Sequence, residues 1–178
     1  MKEMIRFGFI LGFICFLASG VLAVVNNVTA PKINEQKDLE EKAGLKEVVP
    51  AAATFKPHKQ GETTDYYNAY DPSNKLIGFV LKTQTKGYSS TIEALTGLDL
   101  NLEITSIKIL SQNETPGLGT RITEPAFKGQ FTGKSLATFG QIQAITGATI
   151  SSGGVINSIK TKITELNDQL SGEIPSAR

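Results

Sequence analysis

Cysteine is almost absent: Cys15 is the only one in 178 residues. A single thiol allows no intramolecular disulfide, no thiolate metal cluster and no iron–sulfur centre built from this chain alone. Histidine is as scarce, with His58 alone in the polar segment Lys56-Pro57-His58-Lys59-Gln60. A histidine-rich metal site is therefore excluded, and His58 reads as a solvated loop residue. Any redox chemistry has to come from a bound organic cofactor. An excess of charge of one sign is missing too, since 18 Lys and Arg stand against 17 Asp and Glu. Nucleic-acid-binding domains concentrate basic residues on one face, and no such cluster occurs, so no nucleic-acid partner is expected. Phosphate-loop motifs also fail. Gly117-Leu118-Gly119 lacks the third glycine of a dinucleotide fingerprint, and Gly133-Lys134-Ser135 has Lys128 where the first glycine of a P-loop belongs.

Charge is absent altogether from Phe7 to Ala30, and Phe7 to Val25 is apolar apart from Ser19 and some glycine. About 20 apolar residues are what an α-helix needs to span a bilayer. A cleaved signal peptide, with Val21-Leu22-Ala23 as its cleavage site, is the competing reading. The run exceeds the roughly 7–15 apolar residues of a signal sequence, which favours a retained anchor. Lys2 and Arg6 precede the span; under the positive-inside rule they hold the N-terminus in the cytoplasm and put everything after Lys32 outside. The remaining roughly 145 residues are the size of one ordinary domain with a proper core.

After the anchor, Ile33 to Val49 reads as a charged helix with scattered apolar points, a solvated stalk ending at Pro50, and Ala51 to Glu62 is linker-like. Tyr66 to Tyr70 and Leu76 to Thr83 have strand character around the turn Asp71-Pro72-Ser73-Asn74. Thr91 to Leu100 and Ile104 to Leu110 form a second such pair around Asn101-Leu102-Glu103. Consecutive hairpins predict an antiparallel sheet. Pro125 to Phe131 reads as a short helix. Val155, Ile156, Ile159, Ile163, Leu166 and Leu170 recur at three- and four-residue steps, which predicts a C-terminal amphipathic helix. The fold class is α+β, with the sheet packed on that helix.

The helix is entered through Thr146-Gly147-Ala148-Thr149, followed by Ile150 and Ser151. Gly147 and Ala148 are small enough to let a large group approach the backbone. The unpaired amides of a helix start, here from Ile150 to Gly153, favour a phosphate. Thr149 thus places a hydroxyl inside a phosphate site. Taken alone, such a turn is ordinary helix capping. Upstream, Glu114-Thr115-Pro116-Gly117-Leu118-Gly119 suits a type II turn, with Pro116 second and Gly117 third.

These two segments together resemble the FMN-binding domain shared by the G subunit of the Rnf complex and the C subunit of the sodium-pumping NADH:quinone oxidoreductase. Thr146 to Thr149 is similar to its [S/T]-G-A-T motif, and Glu114 to Gly119 to its E-T-P-G-L-G loop. Lys86-Gly87-Tyr88-Ser89 and Gly97-Leu98-Asp99 extend the likeness. The family usually has Asp six residues before the modified threonine, where this chain has Gln143.

The resemblance implies FMN carried on Thr149 through a phosphoester, with Thr146, Gly147, Ala148, Ile150 and Ser151 around it. Glu114, Thr115, Pro116, Gly117 and Leu118 would pack on the flavin. It implies an electron-carrier subunit of a membrane ion-translocating redox complex, preferably of the Rnf type coupling ferredoxin and NAD. Its partners would be the other membrane subunits and, during maturation, a flavin transferase. The layout expected is a cytoplasmic N-terminus and anchor over 1–31, a stalk and linker over 32–62, and an FMN-binding domain over 63–178 outside the plasma membrane. The alternative is an anchored extracytoplasmic binding or scaffold module with no redox role.

Overall fold

The computed structural model describes residues 2–60 and 63–174. The chain forms two compact units, one ending at Glu40 and the other beginning at Glu41. Helix α1 (Lys2–Val48) begins in the first unit. By length and composition it is apolar enough to cross a membrane. Its large apolar side chains from Met4 to Val28 are exposed, as lipid-facing residues are.

The second unit is built on a five-stranded sheet: β1 (Thr54–Gln60), β2 (Thr63–Tyr70), β3 (Leu76–Lys86), β4 (Thr91–Asp99) and β5 (Ile104–Ser111). Spatial order equals chain order, and every neighbouring pair is antiparallel. Both expected hairpins are present, and their turns share one construction. Asp71 and Asp99 each accept backbone N–H bonds from the residues that follow, and Asn74 and Leu102 take positive φ, 59° in both. A left-handed residue after the turn gives the reversal the twist a hairpin needs. Strand β1, in the stretch read as linker, pairs with β2, and β3 pairs with β4, so four consecutive hairpins build the sheet. His58 consequently sits in a strand rather than a loop, its ring stacked on Tyr66 with centroids 4.6 Å apart.

Both faces of the sheet are covered, so β4 is buried along most of its length. On one face lies α3 (Thr149–Glu173), whose Val155, Ile159, Ile163, Leu166 and Leu170 are buried against Phe79, Leu81, Ile92 and Leu98. The three- and four-residue spacing read in the sequence is this face. Gly154 lets the helix approach β3: a Cβ there would lie 3.1 Å from Thr85 Oγ1. On the other face, Leu45, Val48, Val49 and Ala52 pack on Ala69, Val80 and Leu95. The stretch expected to be a solvated stalk therefore ends as core. Its scattered apolar points were too few to show a face, yet two of them, Leu45 and Val48, meet the sheet together with Val49. The carbonyl of Val48 accepts a bond from Thr105 Oγ1 at 2.8 Å, and Gly97 leaves room for it, since a Cβ there would lie 2.6 Å away. Glu41 accepts from Lys82 Nζ at 2.5 Å and from the Tyr67 hydroxyl.

Beyond β5 the chain leaves the sheet, makes a 3-10 turn over Gly119–Thr123 and the short helix α2 (Pro125–Lys128). The helix expected to reach Phe131 stops earlier, but Phe127 and Phe131 are buried as anchors, edge to face at 5.3 Å. A second 3-10 turn, Phe139–Gln141, precedes the entry to α3.

Candidate functional site

Two glycine turns meet at the start of α3. In the first, Leu118 N–H donates to Thr115 C=O at 3.1 Å and Gly117 has φ 76°. In the second, Ala148 N–H donates to Ile145 C=O at 2.9 Å and Gly147 has φ 84°. Each has the positive-φ third residue of a type II turn, which only glycine adopts without strain. The turns touch: a Cβ on Gly147 would lie 3.7 Å from Leu118 Cδ2. Gly117 itself faces open space, so its requirement is purely conformational.

The second turn delivers Thr149 as the first residue of α3, with Ala148 at the cap position and no side-chain cap. The threonine is therefore in the helix rather than ahead of it. Ser152 does the local bracing: its amide and its hydroxyl both donate to Ala148 C=O, at 2.9 and 2.8 Å, and its hydroxyl accepts from Ile145 N–H at 2.9 Å. Among the described residues, the amides of Thr149, Ile150 and Ser151 have no protein acceptor. The free amides are thus these three, and the expected run to Gly153 is cut short because the helix ladder begins at Ser152. Further back, the Gln130 side chain clips the Gln143 backbone, accepting from its N–H at 2.9 Å and donating to its C=O at 3.3 Å.

Behind both turns lies Glu114, only 5 % exposed. One carboxylate oxygen accepts from the amides of Ser89 and Ser90, at 3.0 and 2.9 Å, and from Ser90 Oγ at 3.1 Å. The other accepts from Tyr88 N–H at 3.0 Å and from Ser151 Oγ at 2.6 Å. Burial by itself would raise the pKa of this group, but the Ser151 bond and the three backbone amides outweigh it and bring the pKa down to about 2. Glu114 is therefore ionised, and it ties the β3–β4 turn, its own loop and the first turn of α3 into one piece. Two glycines make room for it. A Cβ on Gly87 would lie 2.5 Å from its Oε1, and one on Gly119 would lie 2.6 Å from its Cβ.

These segments enclose a pocket of about 390 Å³ lined by Tyr88, Glu114, Thr115, Leu118, Gly119 and Gly147 to Ser151. Of the residues singled out in the sequence, Pro116, Gly117 and Thr146 form the turns without lining the pocket. Glu114, Thr115, Leu118, Gly147, Ala148, Thr149, Ile150 and Ser151 line it. Tyr88 and Gly119 were missed as lining residues. Tyr88, at 72 % exposure, joins Leu118 at 49 % and Ile150 at 58 % as the large exposed apolar side chains of the second unit among the described residues. All three border this pocket, whereas an ordinary surface scatters such residues singly. Its volume falls in the ordinary range for small-molecule sites, and its lining is apolar around a few converging polar groups, as such sites require.

Residues 87–164 match the FMN-binding domain family, and residues 1–48 match the RnfG N-terminal region. Among similar proteins, the G subunit of the ion-translocating oxidoreductase complex of Methanosarcina acetivorans is 31 % identical, over 86 % of this chain and 89 % of the relative. The G subunit of the Na(+)-translocating ferredoxin:NAD(+) oxidoreductase complex of Acetobacterium woodii is 32 % identical, over 91 % of each. Its counterpart in the proton-translocating ferredoxin:NAD(+) oxidoreductase complex of Clostridium ljungdahlii is 29 % identical over 89 % of each. In fold, the chain is similar to the crystal structure of NqrC from Shewanella oneidensis, with TM-score 0.52 and 20 % identity over 71 % of this chain and 74 % of that one.

Proposed function

The chain belongs to the family of G subunits of ion-translocating oxidoreductase complexes, and from that premise we propose that it carries FMN as a phosphoester on Thr149. It is a membrane-anchored electron-carrier subunit of such a complex, with FMN as its cofactor. Our reading is that the complex passes electrons between ferredoxin and NAD, that a flavin transferase attaches the FMN, and that the second unit lies outside the cytoplasm.

The observation that carries the attachment is the exposed Thr149 hydroxyl at the first position of α3, beside three unpaired amides in a 390 Å³ pocket. The donor set fits the group. Free amides at a helix start, with the positive end of its dipole, suit a phosphate, and Leu118, Ile150 and Tyr88 offer the apolar surface a flavin ring buries. Bound there, FMN supplies the ability to take up and release electrons, which no side chain of this chain supplies. The chain's own residues do the rest. β-branched Thr149 has few χ1 choices, so its oxygen points in a restricted direction. The Gly147 turn brings the backbone close, and Glu114 holds the three walls together. A covalent link keeps the carrier from losing its flavin between turnovers.

Intact-mass and peptide mass spectrometry on the full chain, made beside a flavin transferase, tests this. The wild-type chain and Thr146→Ala should carry one FMN phosphoryl group on the peptide that contains Thr149, and Thr149→Ala should carry none. FMN remaining on the Thr149→Ala chain would refute the assignment.

A further inference from the structure

The carboxylate of Glu114 has five hydrogen-bond donors and no cation. Among the described residues no Lys, Arg or His lies within ion-pair distance of it; the ion pairs of the second unit are made by Glu173, Glu41, Glu47, Glu124 and Asp65. It is nonetheless part of the wall of the pocket that would hold the flavin. We infer that Glu114 sets the redox level of that pocket: a fixed, buried anion in its wall, it holds the reduction potential of the bound flavin below the value a neutral wall would give.

The inference rests on the proposal that FMN occupies this pocket, and the physics is a matter of sign. A flavin held there would be reduced at the expense of a partner redox centre of the complex, which would be oxidised by as many electrons as the ring gains, any protons coming from water. Each electron not followed by a proton leaves the ring one unit more negative. Glu114 gives up neither proton nor electron, and no bond forms to it. It raises the energy of the more negative form by Coulomb repulsion, which acts more strongly through a protein wall than through water. The polar groups around it cancel its field only in part, because dipoles decay with distance faster than a net charge does. The amides of Tyr88, Ser89 and Ser90 are turned onto the carboxylate itself. The carboxylate also stays charged throughout the neutral range, its pKa lying near 2, so its effect is constant where the protein works.

The test compares the full-length chain in detergent, loaded with FMN, with three variants equilibrated against reference dyes of known potential. Glu114→Gln and Glu114→Ala remove the charge, the first keeping the shape and the second leaving room for water to serve the freed amides. Glu114→Asp disturbs the same contacts but keeps the charge. The two neutral variants should shift to more positive potential, and the aspartate variant should stay near the wild type. Potentials unchanged in the neutral variants overturn the inference, and so does an aspartate variant displaced as far as they are, since loosened walls would then explain the shift. Loss of flavin from both neutral variants would also overturn it, by making Glu114 a residue of assembly alone. Wild-type chain that carries no flavin by mass would instead sink the Thr149 attachment.

Discussion

At the scale of single residues, Glu114 makes the sharpest prediction about stability. Its carboxyl is held at about 2, against an ordinary value of 4.5. A carboxyl with a depressed folded pKa contributes stability that is fully present above the unfolded value and is lost as pH falls through the folded one. The window is therefore pH 4.5 down to 2, and the loss is at most about 3 kcal/mol. Denaturant unfolding of the full chain across this range should show the decline, while Glu114→Gln should be less stable already at pH 6 and flatter below pH 4.5. Identical pH profiles for the two would contradict the role given to this carboxylate. Tyr66 is the other perturbed group. Burial, then the hydrogen bond and charge of Glu173, push its phenol upward, which keeps it neutral and donating at 2.5 Å to that carboxylate.

Among the elements, the loops matter more than the sheet, and their turn chemistry was the part most open to reading. Pro116-Gly117 announced a type II turn, and Gly117 stands at φ 76° with open space around it. Gly117→Val should therefore destabilise the protein by about 1–2 kcal/mol through backbone strain alone, seen as a lower melting temperature, while Gly117→Asn, whose side chain tolerates positive φ, should cost much less. Equal losses for both variants would mean that space, not φ, is what the position demands. The strand pairs and the face of α3 were legible because alternation and three-to-four spacing follow directly from burial on one side. Strand β1 was not, since Lys56, Pro57, His58 and Lys59 resemble a loop and belong to an edge strand, where proline and lysine are tolerated. The buried end of α1 was hidden because Leu45, Val48 and Val49 give only one turn of pattern. At the site, the small-residue turn was readable, whereas the burial of Glu114 was not: its donors, Tyr88 to Ser90 and Ser151, lie 24 or more residues away in the chain.

For the whole molecule, the proposed location of the second unit outside the cytoplasm rests on the positive-inside rule applied to Lys2 and Arg6 ahead of Phe7. The scarcity of cysteine makes this easy to measure. With Cys15→Ala as background and Ser73→Cys in the β2–β3 turn, a membrane-impermeant maleimide should label intact spheroplasts; labelling only after the membrane is opened would place the domain in the cytoplasm. The pocket also has a property that no one of its residues has. Its lining comes from Tyr88, from Glu114, Thr115, Leu118 and Gly119, and from Gly147 to Ser151, whereas the sheet pairs only strands adjacent in sequence. An unfolded chain presents the Thr146 to Thr149 peptide but no cradle around it. An enzyme that recognised the peptide alone would tag misfolded chains as readily as sound ones. One that reads the cradle would mark only chains in which α3 has closed on the sheet, and yellow colour would then report correct folding.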